Sequence, residues 1–525
     1  MRSALRTLLV LWLGGWLASC AERRKDCPQC STVVIAATGE PSTLIPPLVS
    51  ETVARDISDQ IYERLAYLSP GSSPVDQSAY RPGLAERWER IDSLNWRFQL
   101  RPTARWQDGA PVRAEDVVFS FDVFSDSTLA SGAQSYLAGK VRATAEDSVT
   151  VRVGFTERSP EQLYDATYHV RVLPKHVWDS IPRKRWEADT SISHLVGSGP
   201  YRIQNWSRGS FLTLAADTAW PGEKPSIRRA LWRFAPDPDA ALNLLLAHQA
   251  DLMETVGSKE RTARVARDSS FRLITYPAGV YGFLAFNVRE GKGHPQLGNR
   301  ELRQALSQAV DRQTLAAALF GQGTKPPPGP MSQLLWIWDD GIHQLPFDTA
   351  QAKQRIDRIK QRHPLRSIDI LVPATSATRR QLAVAIQEAW RRIGVPATVT
   401  TVEFPVFQER LAKGHFDSYI GAYLDEPSPR GLRDQWTGEG WAALNYGRYR
   451  NPVFDSLVKA ASLEESAGKS KGLWREAMDT LNTDAPAIFL YSLANIAAVS
   501  QKLSDVKIDP YSWASGLRDW KAGPP

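Results

Sequence analysis

Beyond residue 30 the chain contains no cysteine. All three, Cys20, Cys27 and Cys30, lie in the stretch WLASCAERRKDCPQC at residues 16–30. The body from Ser31 to Pro525 therefore has no thiolate nucleophile, no thiolate metal ligand and no internal disulfide. Other chemical signatures are missing too. There is no G-x-S-x-G nucleophile elbow and no H-E-x-x-H zinc helix. GSGPY at 197–201 is not a phosphate loop, because no Gly-Lys-Ser/Thr follows. The prolines of GQGTKPPPG remove the backbone donors that a phosphate cradle needs. The eight histidines are scattered, none in an i, i+4 pair; His294, His343 and His363 read as loop residues. These gaps weigh against a metal- or nucleophile-based enzyme, though Ser/Lys and two-carboxylate sites leave little sequence trace, and no cofactor is expected.

Long apolar runs are also scarce. The longest is Leu8–Leu17, ten residues behind Arg2 and Arg6. A bilayer span needs about 20; ten residues after a positive start suit a secretory signal. Net charge is +7, falling by two to +5 once Arg2 and Arg6 leave with residues 1–19. The basic residues are interleaved with acids and form no block, so nucleic acid is not an expected partner. With 42% hydrophobic and 23% charged residues the chain is no disordered one. At 525 residues it is too long for one core and should divide into two or three lobes.

What is present is an interleaved run of strand and helix patterns. VVIAAT at 33–38 reads as a buried strand, and Val53, Ile57, Ile61 and Leu65 mark a helix over 51–65. Trp96, Phe98 and Leu100 alternate with polar residues, as in a half-buried strand. Gln107-Asp108-Gly109 is a turn. A helix opens near Ala114 with Glu115 and Asp116 in its first turn, where acids suit the helix dipole. VRATAEDSVTVRVGF at 141–155 reads as a hairpin, FLAFNV at 283–288 as a strand, and 299–320 as an amphipathic helical region capped by Asn299 and ended by Gly321. IDILV at 368–372, a helix over 379–393 ended by Gly394, and ATVTTVEF at 397–404 form a βαβ unit, with another helix and strand over 406–420. The fold class is α/β, with at least some parallel pairing.

Two resemblances follow from particular residues. Leu17-Ala18-Ser19-Cys20 is similar to the lipobox of bacterial lipoproteins, which implies cleavage before Cys20, acylation of that cysteine and a tether over 20–32. Cys27 and Cys30 then remain as a C-x-x-C pair, expected to form a local disulfide. LAERWERIDSLNWRFQLRPTARWQDGAPVRAEDVVFSFD at 84–122 resembles the signature of the extracellular solute-binding proteins, family 5. GSGPYRIQNW (197–206), ALNLLLAHQADL (241–252) and NRELRQALSQAVDR (299–312) resemble further blocks of that family, in the same order. Trp96, Phe98, Trp106, Phe119 and Phe121 within these blocks read as core, and Gly109 and Gly199 as turn formers.

The resemblance implies a periplasmic-binding-protein-like α/β fold, with two lobes around a ligand cleft and an extra inserted domain. Lobe I would comprise 33–66, 195–285 and 488–525, the inserted domain II 67–194, and lobe III 286–487. It implies a monomer in the cell envelope that captures a peptide or similar small solute by closing its cleft. The solute would pass to an inner-membrane ABC permease. Peptide binders of the family carry W-x-x-D-x-x-[DE]-P, whose Asp takes the peptide ammonium; here Ile420–Pro427 puts Tyr423 at that position and Asp425 two residues on. That departure keeps oligosaccharide, opine or metal-chelate ligands open, as well as a signalling, chaperone-like or hydrolytic relative. Candidate ligand contacts are Tyr281, Asn287, Tyr423, Asp425, Trp436, Trp441 and Tyr446.

Overall fold

The computed structural model describes residues 31–289, 294–321 and 323–523. Cys20, Cys27 and Cys30, with the expected signal, acylation site and disulfide, lie outside the described residues. No described helix is long and apolar enough to cross a membrane.

The chain is organised on one ten-stranded sheet. Its strands are β1 (Thr32–Thr38), β2 (Tyr201–Ser207), β3 (Phe211–Ala216), β4 (Arg229–Ala235), β5 (Leu252–Met253), β6 (Phe271–Phe286), β7 (Ile368–Pro373), β8 (Ala397–Val402), β9 (Ser418–Leu424) and β10 (Ala487–Ser500). Their spatial order is β8-β7-β9-β6-β10-β5-β1-β4-β3-β2. The two long strands β6 and β10 run antiparallel through the middle and belong to both halves of the sheet. Their pairing shifts register between Pro277, opposite Ala494, and Tyr281, opposite Ser492. A bulge bends and twists a strand locally, so this is where the two halves can be set at an angle.

The strand expected at 283–288 is thus the last quarter, up to Phe286, of a sixteen-residue strand. Pro277, Gly279 and Gly282 look like breakers in sequence, but the bulge absorbs them. Beyond it, side-chain alternation builds two cores on opposite faces. Leu284, Phe286, Ile370, Val372, Ile420 and Ile488 enter one. Tyr281, Phe283, Ala285, Leu371, Tyr419 and Phe489 enter the other, as a period of two requires.

Several local expectations hold. The half-buried strand is Asn95–Leu100, and a helix does begin at Ala114. The hairpin pairs Val141–Ala145 with Thr150–Phe155, and β7 and β8 pair in parallel across the helix Ala377–Arg392. Trp96, Phe98, Trp106, Phe119 and Phe121 are buried. The helical region at 299–320 is two helices, Arg300–Gln308 and Arg312–Phe320, because the Asp311 carboxylate accepts from the Thr314 N–H and starts a second one. Gly109 has φ +94° in its turn. Gly199 serves a different purpose from the one expected: a Cβ there would lie 2.5 Å from the Gln60 carbonyl oxygen, so the residue permits close backbone contact.

Gly472, inside the helix Ala467–Asp484, has no atom beyond its neighbouring residues and its own helix backbone within 4 Å of where its Cβ would stand. Alanine there is expected to stabilise the protein by about 1 kcal/mol, since glycine gives up more backbone freedom on entering a helix. A urea titration with unchanged slope and a higher midpoint would show it.

Candidate functional site

The loop Asp425–Arg430 leaves the end of β9 and runs into the seam between the β6–β9 half of the molecule and the segment 67–194. A cavity of about 200 Å³ opens beside it, lined by Tyr136 from that segment and by Leu335, Asp425, Glu426, Arg430, Asp434 and Leu444. Asp425 is fixed from two sides. Its N–H donates to the Gly279 carbonyl at 2.6 Å, beside the bulge, and its Oδ2 accepts from the Ser332 N–H at 2.5 Å. It is 8% exposed and makes no ion pair among the described residues. Burial pushes its carboxyl up to about 7, against the pull of the Ser332 N–H. A buried carboxylate without a cation is costly, and a bound ammonium would remove that cost.

Arg430 is the one basic residue lining the cavity, and its charge is committed outward. It pairs with Asp165 at 2.6 Å and with Glu161 at 2.5 Å, both from the segment 67–194. Burial works against the guanidinium, but Glu161 and Asp165 hold its pKa above the usual arginine range. The cavity wall is therefore left acidic, with Asp425, Glu426 and Asp434.

A second cavity, about 110 Å³, lies on the other side of the same loop. Asp59, Glu63, Arg64, Arg101, Tyr168 and Tyr511 line it, and Pro427 reaches it. Nearby, Asp56 is fully buried, and neither of its carboxylate oxygens has a hydrogen-bond partner among the described residues. Burial, then the charge of Glu254, hold Asp56 well above the usual carboxylate range. Among the described residues no three or more His, Cys, Asp or Glu are grouped so as to hold a metal.

The structure separates the residues expected from sequence. Tyr281, Tyr423 and Trp436 come together, but as packing. Tyr281 is fully buried, donates to Gln435 at 2.5 Å and accepts from the Trp436 Nε1–H at 3.0 Å; its ring lies 6.1 Å from that of Tyr423. The Tyr423 hydroxyl donates to the Leu444 carbonyl. Asn287 is buried, its amide donating to the Gly414 and Phe416 carbonyls, where it fixes a turn. Trp441 is part-exposed with its N–H on the Tyr449 carbonyl, and Tyr446 packs against Tyr419. Of the seven, only Asp425 lines the cavity beside the loop. The sequence reading missed Arg430, Glu161, Asp165 and Tyr136. A signal was available: Glu161, Asp165 and His169 recur every four residues, placing three titratable groups on one helical face.

Comparison with known proteins agrees with this architecture. Residues 79–443 match the family described as bacterial extracellular solute-binding proteins, family 5 Middle. The dipeptide-binding protein of Escherichia coli K12 is 24% identical over 512 residues, covering 92% of this chain and 93% of its own. A putative peptide binding protein AppA from Clostridium difficile superposes with a TM-score of 0.81 at 22% identity, over 94% of this chain and 100% of that one. HbpA2 from Haemophilus parasuis superposes with a TM-score of 0.82 at 20% identity, over the same shares. With the family match spanning more than half of its length, this chain belongs to the bacterial extracellular solute-binding proteins, family 5.

Proposed function

We propose that this protein is the lipid-anchored capture component of an ABC importer, and that its solute is a short peptide held by its free amino terminus. The observation that carries the peptide reading is Asp425. It is a buried carboxylate with no cation, on the acidic wall of a cavity closed by two parts of the chain. The Escherichia coli relative, named a dipeptide-binding protein, aligns over nearly its whole length. On this reading the halves of the sheet are lobes I and III, the segment 67–194 is the inserted domain, and closure turns on the β6/β10 bulge. Hinge motion of this kind is how binding proteins enclose a solute. Acylation at Cys20 would tie the protein to the membrane beside its permease.

Tyr423 favours a second reading. It stands where the family's aspartate would be and its hydroxyl is already bonded, so a sugar, opine or metal chelate could replace the peptide. A thermal-shift panel decides between the two. Di- to pentapeptides should raise the midpoint, and their N-acetylated counterparts should not. A response to glycans or chelates with none to any peptide would sink the peptide reading. Mass spectrometry of detergent-extracted protein tests the anchor: a diacylated Cys20 is expected at the amino terminus, and an unmodified terminus elsewhere would refute it.

A further inference from the structure

We infer that Arg430 is a latch through which the inserted domain holds the solute cleft closed. This rests on the cleft reading above, though not on the identity of the solute. The contacts join residues about 265 positions apart. Arg430 Nη2 lies 2.6 Å and Nη1 3.1 Å from the two oxygens of Asp165, a two-point grip on one carboxylate. Its Nε lies 2.5 Å from Glu161 Oε2. Ser428, two residues before it, donates to that same oxygen at 2.6 Å and accepts from the Arg430 Nε–H at 3.1 Å. The guanidinium carbon stands 5.7 Å from the centre of the Tyr136 ring.

Glu161 and Asp165 are one helical turn apart and only 4% and 6% exposed. Two like charges in that position need a cation. His169 stands 3.5 Å from Asp165, but among the described residues the one cation paired with both acids is Arg430, supplied by a loop of the other half of the molecule. Opening the cleft would withdraw Arg430 and leave all three groups to water. Closing it reunites them in bidentate geometry, which is the strong form of such a pair. The seam carries its own comparison. Arg90 and Glu465 also meet across it, at 3.5 Å, but Glu465 is 71% exposed, and a pair of that kind is worth little.

The latch can be separated from the mere cost of stranding two buried acids. In the full chain, R430Q leaves Glu161 with the Ser428 hydroxyl and Asp165 with His169, 3.5 Å away, but neither with a guanidinium, whereas R430Q/E161Q/D165N removes all three charges. Small-angle scattering of each ligand-free protein reads closure. Stopped-flow tryptophan fluorescence reads dissociation of trialanine, the peptide probe. R430Q should enlarge the radius of gyration and speed trialanine release at least tenfold. The triple variant should fall between R430Q and wild type, and R90Q should match wild type. Wild-type behaviour of R430Q overturns the latch. So does a triple variant no better than R430Q, or one as closed as wild type. If trialanine fails to bind the wild-type protein, the scattering series still decides the latch, and the thermal-shift panel of di- to pentapeptides decides the peptide reading separately.

Discussion

Asparagine at position 425 is expected to stabilise the ligand-free protein at pH 7.5 and to abolish its response to peptides with a free amino terminus. The folded protein holds the Asp425 carboxyl at about 7, through burial, against about 3.9 in an unfolded chain. Between those values the native state binds a proton that the unfolded state does not. Stability from this group is therefore complete below pH 4 and lost as pH rises through 7. A shift of about three units corresponds to roughly 4 kcal/mol at its upper bound. Asparagine keeps an acceptor for the Ser332 N–H and carries no charge, so the variant should lose far less of its thermal midpoint between pH 5 and 7.5 than wild type does.

A bound ammonium changes the balance. It pairs with the ionised carboxylate, so binding at pH 6 should release a proton, and affinity should weaken up to tenfold for each unit of pH below 7. Calorimetric titration in buffers of different ionisation enthalpy measures the released proton. If wild type and D425N show the same midpoints from pH 5 to 7.5 and the same peptide response, Asp425 is not the cation site.

This dual behaviour bears on what could be read from sequence. Periodic signals came through because one residue pattern decides each of them. Alternation at 95–100 fixes a half-buried strand, and Ala114 with its two acids fixes a helix start. The βαβ unit at 368–402 follows from its two apolar runs and the helix between them. The long strand β6 did not come through, because Pro277 and Gly279 interrupt its local pattern and its continuity comes from pairing with β10 on either side of the bulge, more than 200 residues away. Of the residues lining the cavity beside the loop, the sequence pointed only to Asp425. Arg430 acquires its role from Glu161 and Asp165, which a different part of the chain supplies, and no local pattern around S-P-R announces it. The aromatic candidates failed to separate for a similar reason. Tyr281, Tyr423 and Trp436 have the composition of a ligand wall, and only their hydrogen bonds reveal that their polar atoms are already taken.

The other large effect is expected at Gly197, where alanine should destabilise the protein by at least about 3 kcal/mol, the upper end of the usual cost of overpacking. Its Cβ would stand 1.9 Å from the Ile61 carbonyl oxygen and 2.6 Å from both the Ile61 carbonyl carbon and its Cγ2. The backbone there cannot easily move aside. Ile61 O accepts from the Gly199 N–H at 2.8 Å, and Gly197 O from the Gln107 N–H at 2.9 Å. The Gln107 amide donates in turn to Gly199 O and Tyr201 O. Three segments thus meet at one point: the end of the helix Thr52–Ile61, the turn at 107–109 and the start of β2. Gly197 has no positive φ, so the cost is steric, and replacement at Gly132, where no atom lies within 4 Å of a Cβ, is the matched comparison. G132A should lie within about 0.5 kcal/mol of wild type by urea titration. The helix ending at Ile61 also carries Asp56 and Asp59 toward the second cavity. A displaced helix end should therefore weaken solute binding in whatever G197A protein still folds, and a G197A midpoint equal to that of G132A would show that the three segments are not locked together there.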